Sequence, residues 1–125
     1  QYTGQYGTGV IVFSPLAQGL LSDKYLDPAN PIPPQSRAAD PDGFLQTHQV
    51  TPERVAQARQ LNAIAQQRGQ SLAQMAVAWT LRDPRVTSAL IGARTPAQIT
   101  ECVAALEHLH FDAEELAEID AIAPR

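Results

Sequence analysis

The sequence predicts an α/β chain that forms the C-terminal portion of a (β/α)8 TIM barrel: the last two βα units followed by a C-terminal helix. Three observations carry this expectation. Val10-Ile11-Val12-Phe13 and Val86 to Ile91 are short apolar runs bounded by turn residues, which suits strands buried on both faces of a parallel sheet. The stretches after each run carry apolar residues at helical spacing. Two parallel strands joined by helices leave edges and faces bare, and a complete barrel takes roughly 250 residues, well beyond the 125 present.

Each element has a local reason. Val10–Phe13 follows Gly7-Thr8-Gly9 and is stopped by Ser14-Pro15. A long stretch, residues 27–50, then carries Pro28, Pro31, Pro33, Pro34 and Pro41; loops of that length are usually functional lids or disordered. Thr51-Pro52-Glu53 supplies an N-cap, a first-turn proline and an early acid. Val55, Ala58, Leu61 and Ala65 follow at helical spacing until Gly69. Ser71 with Gln74 forms a capping box, and Leu72, Met75, Ala76 and Trp79 make the next apolar face, with Met75 and Trp79 read as core. The second strand is entered from Asp83-Pro84 and closed by Gly92. Thr95-Pro96 with Gln98 opens a helix whose stripe is Ile99, Cys102, Val103 and Leu106. Asp112 with Glu115 caps the last helix, where Phe111 is placed to staple onto Leu116.

Composition narrows the function classes. No apolar run approaches the ~20 residues of a membrane span, and residues 1–9 lack the pattern of a secretory signal. The net charge is −4 with scattered basic residues, so no electrostatic footprint for nucleic acid or an anionic membrane is expected. Cys102 is the single cysteine, which excludes an internal disulfide and suits a reducing, cytoplasmic setting. His48, His108 and His110 have no carboxylate or cysteine at ligand spacing and read as solvated surface residues; no metal site is expected. The chain opens on Gln1 rather than Met, which suggests a fragment.

Two sites follow directly after the two strands, the face on which barrels build their active sites and phosphate cradles. The first is Phe13 to Tyr25. Pro15 fixes the backbone leaving the strand, Gly19 permits close approach by a ligand, Phe13 offers a flat ring, Ser14 a hydroxyl and Lys24 a point charge. A strand end with a polar turn is an equal alternative for this segment alone. The second is Ile91 to Glu101. Gly92 allows a sharp turn, the free N–H groups near Pro96 favour an anion, and Arg94 adds a bidentate fork. Gln98 and Glu101 share a helical face, where they suit a base or ribose, although Gln98 also has a capping role open to it.

Together these residues resemble the aldo-keto reductases. The likeness lies in Phe13-Ser-Pro-Leu-Ala-Gln-Gly-Leu-Leu-Ser-Asp-Lys-Tyr25, Ile32-Pro-Pro-Gln-Ser-Arg37, the run Gln66 to Trp79, and Ile91-Gly-Ala-Arg94 with Gln98 and Glu101. It is strongest toward the branch that holds bacterial L-glyceraldehyde-3-phosphate reductases and potassium-channel beta subunits, and it runs from about Gly9 to Ile119. The resemblance implies NADPH as cofactor. Phe13 would stack on the nicotinamide, Ser14, Leu16 and Gly19 would line the pyrophosphate, and Pro15 and Ala17 would belong to the same cofactor-binding turn. Lys24 and Arg37 would hold phosphates, making residues 27–50 a clasp. Gly92, Arg94, Gln98 and Glu101 would take the adenosine end. Two positions depart from the pattern: Arg94 stands where serine is usual, and Cys102 where asparagine is usual, so Cys102 is read as core filler.

The resemblance further implies an oxidoreductase that reduces small aldehydes or ketones. The tyrosine, lysine, aspartate and histidine of that chemistry are expected outside this chain, in the N-terminal portion of the same barrel, so the 125 residues alone are expected to be inactive. Tyr2, Tyr6 and Tyr25 follow no early strand and are not candidates for the tyrosine. The expected partners are a small carbonyl substrate, the N-terminal portion of the barrel and a second copy of the protein. The alternative is an NADPH-binding regulatory module of the channel beta-subunit kind.

Overall fold

The computed structural model describes residues 2–27 and 29–124. Pro28 of the proline-rich stretch, and Gln1 at the head of the polar leading segment, lie outside the described residues. Strand β1 (Val10–Phe13) and strand β2 (Val86–Leu90) pair in parallel, with Val12 opposite Ala89, Phe13 opposite Leu90, and an irregular step between Val10 and Ile11. Parallel neighbours need a long crossover. Here it comprises the proline-rich stretch, helix α2 (Pro52–Gln67) and helix α3 (Leu72–Leu81), and α3 packs on β2. A single turn, α1 (Tyr2–Gln5), precedes β1; α4 (Pro96–Ala104) and α5 (Ala113–Ile122) follow β2.

The helix ends form as their residues dictate. Thr51, Ser71, Thr95 and Asp112 each accept the backbone N–H three residues on. At Ser71 and Asp112, Gln74 and Glu115 return the bond to the cap's own N–H. Helix α2 ends in a Schellman turn. Gly69 takes φ 69, its N–H reaches the Gln66 carbonyl at 3.0 Å, and the Gln70 N–H reaches Ala65 at 2.9 Å.

The main core joins α2, α3 and α5. Ala58, Leu61, Ile64 and Ala65 meet Leu72, Met75 and Ala78, with Phe111 from just before the last helix, Ile119 from within it, and Trp79, Leu116 and Ile122 at the margin. Phe111 and Leu116 thus pack in one cluster, where the staple was expected. Each large side chain buried there contributes roughly 1.5–3 kcal/mol. Arg68 is braced within this corner. Its Nη1 lies 2.6 Å from the Glu115 carboxylate, Nε donates to Gln70 Oε1 at 2.9 Å, and Nη2 donates to the His110 carbonyl at 2.9 Å and the His108 carbonyl at 3.3 Å. The guanidinium also sits 3.7 Å from the centre of the Phe111 ring. The three histidine side chains are exposed.

The sheet is bare on one face, as expected of two strands without further neighbours: Ile11 and Phe13 are 70% and 79% exposed, while Val10 and Val12 are half-buried. Side chains alternate across a strand, and among the described residues the helices cover only one side of this two-stranded sheet. The α4 stripe is likewise uncovered except at Cys102, because Ile99, Val103 and Leu106 are each more than half exposed. Helical spacing identified the apolar face, but no described element lies over it.

The proline-rich stretch carries a core of its own. Tyr25, Leu20, Ala38 and Leu45 pack together, flanked by Ile32 and Val50. The buried Tyr25 phenol oxygen accepts the Ala38 N–H at 3.2 Å, and the Thr47 hydroxyl donates to the Ala38 carbonyl at 2.7 Å. These contacts hold the strap against the turn that follows β1.

Candidate functional site

A groove of about 430 Å3 opens where both strands end, within the size range of small-molecule sites. A small cluster of Val77, Cys102 and Ala105, edged by Leu16, Leu81 and Ile91, fixes α3 and α4 against the strand ends. The first wall is the turn after β1: Phe13, Ser14, Pro15, Leu16, Gln18 and Gly19 line it. The backbone there is strained, with Ser14, Ala17 and Gln18 at φ 57, 46 and 62 and Gly19 at φ 97. Left-handed non-glycine residues are uncommon and cluster at functional sites.

Lys24 and Tyr25 continue that wall, and Arg37 and Phe44 reach the groove from the strap. The second wall is the turn after β2 and the first turns of α4, contributing Leu90, Ile91, Gly92, Arg94, Gln98, Glu101 and Cys102. Of the residues assigned to the cofactor by resemblance, all line this groove except Ala17. Ala17 is exposed in the same turn, at φ 46, and is not among the lining residues.

The site's hydrogen bonds show what each side chain has left to offer. Arg37 Nη1 donates to Gln18 Oε1 at 2.7 Å. Gln98 Oε1 accepts the Arg94 backbone N–H at 2.7 Å, so the capping role open to Gln98 is taken, one residue further back than in a standard box. Glu101 accepts the Ser71 hydroxyl at 2.6 Å, tying α4 to the start of α3. Burial pushes the Cys102 thiol pKa up, with the Glu101 charge adding to it; Cys102 packs in the core cluster and also borders the groove.

Gln18, Ser22, Asp23 and Tyr25 lie inside the first segment that the sequence singles out but have no role of their own there, whereas sequence reasoning missed Phe44 and Ala73 altogether and reads Cys102 as core. Phe44 is 89% exposed, and its one signal was an aromatic stranded in a proline-rich loop. Nothing local marks Gln18, because its partner lies 19 residues away. A second, shallow depression lies before β2, bordered by Arg82, Asp83, Pro84, Arg85 and Leu116. There Arg85 bonds Asp83 and holds its carboxyl well below the usual range. Among the described residues no group of three or more His, Cys, Asp or Glu is placed to hold a metal ion, and no helix is long and apolar enough to cross a membrane.

The model of the Aldo/keto reductase family matches residues 1–124. The chain belongs to this family. Members are TIM barrels, and the two parallel strands with their crossover helices accord with that architecture. Over 119 residues the chain is 50% identical to L-glyceraldehyde 3-phosphate reductases of Escherichia coli O157:H7 and Escherichia coli K12, covering 91% of this chain and 33% of each relative. It is 40% identical over 121 residues to a potassium-channel beta-subunit-like protein of Schizosaccharomyces pombe, covering 94% of this chain and 34% of that protein. The chain therefore spans about a third of the length of the curated relatives it matches.

Proposed function

We propose that the groove binds NADPH and that the protein carrying it is an oxidoreductase that reduces small aldehydes or ketones. The observation that carries this reading is the convergence of Lys24, Arg37 and Arg94 on one groove beside the exposed ring of Phe13. Three cations suit a ligand bearing several phosphates, and a flat ring suits a nicotinamide. In this reading residues 1–125 form the last two βα units and the C-terminal helix of the barrel, and residues 27–50 form the clasp.

The donor set fits the cofactor. Phe13 would support the nicotinamide, Ser14, Leu16 and Gly19 would line the pyrophosphate, and Pro15 and Ala17 would belong to the same cofactor-binding turn. At Gly19 an added Cβ meets nothing within 4 Å, so the space beside that backbone is open. Lys24 and Arg37 would hold phosphates; Gly92, Arg94, Gln98 and Glu101 would take the adenosine end, with Arg94 favouring a 2′-phosphate. When bound, the cofactor supplies the hydride that reduces a carbonyl. The proton-moving residues are placed outside this chain, since the Tyr25 phenol is buried and tied to the Ala38 backbone.

Fluorescence titration of the intact protein with NADPH and NADH tests the reading. NADPH should bind more tightly, and Arg94→Ala should reduce that preference about tenfold or more, the value of one hydrogen bond to a charged group. Equal affinity for the two cofactors would refute the 2′-phosphate assignment. Loss of NADPH absorbance with methylglyoxal or glyceraldehyde phosphate tests the reaction. The 40% identity to the channel-subunit-like protein favours a second reading, an NADPH-holding regulatory module; tight NADPH binding without turnover of any small carbonyl would select it.

A further inference from the structure

Arg37 reaches across the groove in an unusual state: oriented but not neutralised. Its Nη1 donates to Gln18 Oε1 at 2.7 Å, while Gln18 Nε2 donates to the Ser14 hydroxyl at 3.3 Å. At the opposite wall, a Cβ added to Gly92 would lie 3.6 Å from Arg37 Nη2. The guanidinium therefore bridges the turn after β1 and the turn after β2. Among the described residues no carboxylate pairs with it; the ion pairs present involve Arg68 and Arg85. Gln18 itself stands at φ 62, ψ 20, a conformation glutamine rarely adopts, so the surrounding fold holds it in place.

We infer that Gln18 is a positioning residue: its neutral amide aims Arg37 across the groove and leaves the cation's charge free for a phosphate group of the bound dinucleotide. The inference rests on the dinucleotide reading above and adds to it the device that prepares Arg37. An amide oxygen satisfies one N–H and fixes the plane of the guanidinium. A carboxylate in its place would hold the same geometry but cancel the charge that the phosphate needs. Because the amide is anchored by Ser14, its oxygen is the atom turned to Arg37. Ordering a long side chain before the ligand arrives lowers the entropy lost on binding.

Two substitutions in the intact protein separate positioning from simple tethering. Gln18→Asn keeps an amide and tolerates a left-handed backbone but is one methylene too short to reach Arg37. Gln18→Glu reaches Arg37 and ties the strap more strongly. By NADPH fluorescence titration and stopped-flow displacement with NADP+, Asn should raise Kd about tenfold, mainly through faster release. Glu should raise it by at least as much despite the stronger tie. In an Arg37→Ala background, Gln18→Asn should have no further effect; this cycle also controls for a general loss of folding. Wild-type affinity in Gln18→Glu, a change below twofold in Gln18→Asn, or full additivity with Arg37→Ala each overturns the positioning role while leaving the dinucleotide reading intact. A wild-type protein that binds no dinucleotide overturns both.

Discussion

Replacing Arg68 with methionine should destabilise the protein by about 3 kcal/mol. The guanidinium satisfies four groups at once: the Glu115 carboxylate, Gln70 Oε1, and the His108 and His110 carbonyls. It also lies over the Phe111 ring. Methionine keeps most of the stem packing and a sulfur for the ring, so the loss is chiefly polar. Breaking a buried ion pair by removing one partner costs roughly 3–5 kcal/mol. The Glu115 side chain is 25% exposed while that of Arg68 is 1% exposed, so water recovers part of the abandoned charge, and the lower end applies. The His108 carbonyl keeps its second donor, Gln70 Nε2 at 3.1 Å, which moderates the loss further. Urea denaturation of the intact protein measures the effect as a fall in midpoint at unchanged slope. Adding Glu115→Leu to Arg68→Met should recover part of the loss, because an apolar pair strands no charge. A change below 0.5 kcal/mol in Arg68→Met (about the noise of surface substitutions) would refute the reading that this corner depends on the arginine.

Two further outcomes are expected. Ser71→Ala should cost more than Thr51→Ala, whose loss as a cap alone is about 1 kcal/mol, because the Ser71 hydroxyl also serves Glu101; equal shifts in thermal denaturation would show that the tie to α4 contributes nothing. Cys102 should alkylate more slowly than a free thiol at pH 8.5. Burial raises its pKa, so its thiolate is scarcer at that pH, and the rate should keep climbing beyond the pH at which a free thiol levels off. Iodoacetamide labelling mapped by mass spectrometry checks this; a rate equal to free cysteine at pH 8.5 would contradict it.

Much of the fold was legible because short-range chemistry decides it. Thr51, Ser71, Thr95 and Asp112 cap where their side chains dictate, Gly69 stops α2, and the two apolar runs pair in parallel. The groove was legible because most of its lining comes from two continuous segments after strands, each carrying its own turn residues. What the sequence hid depends on distant partners. Nothing local marks Arg68, whose carbonyl partners lie some 40 positions away in the sequence. Tyr25 reads as part of a polar turn until the Ala38 backbone reaches its hydroxyl. Ile11, Phe13, Ile99, Val103 and Leu106 show the other limit: periodicity tells which face seeks cover, not what supplies it.

The two walls of the groove leave the chain at Phe13 and rejoin it at Leu90, and everything between is one covalent excursion. A molecule that grips both walls therefore closes a circuit through the polypeptide. Its affinity becomes resistance to unravelling for the strap and both crossover helices, by about 2.7 kcal/mol at a hundredfold excess over Kd. A protease should therefore cut the strap more slowly while the molecule is bound than after it is washed away.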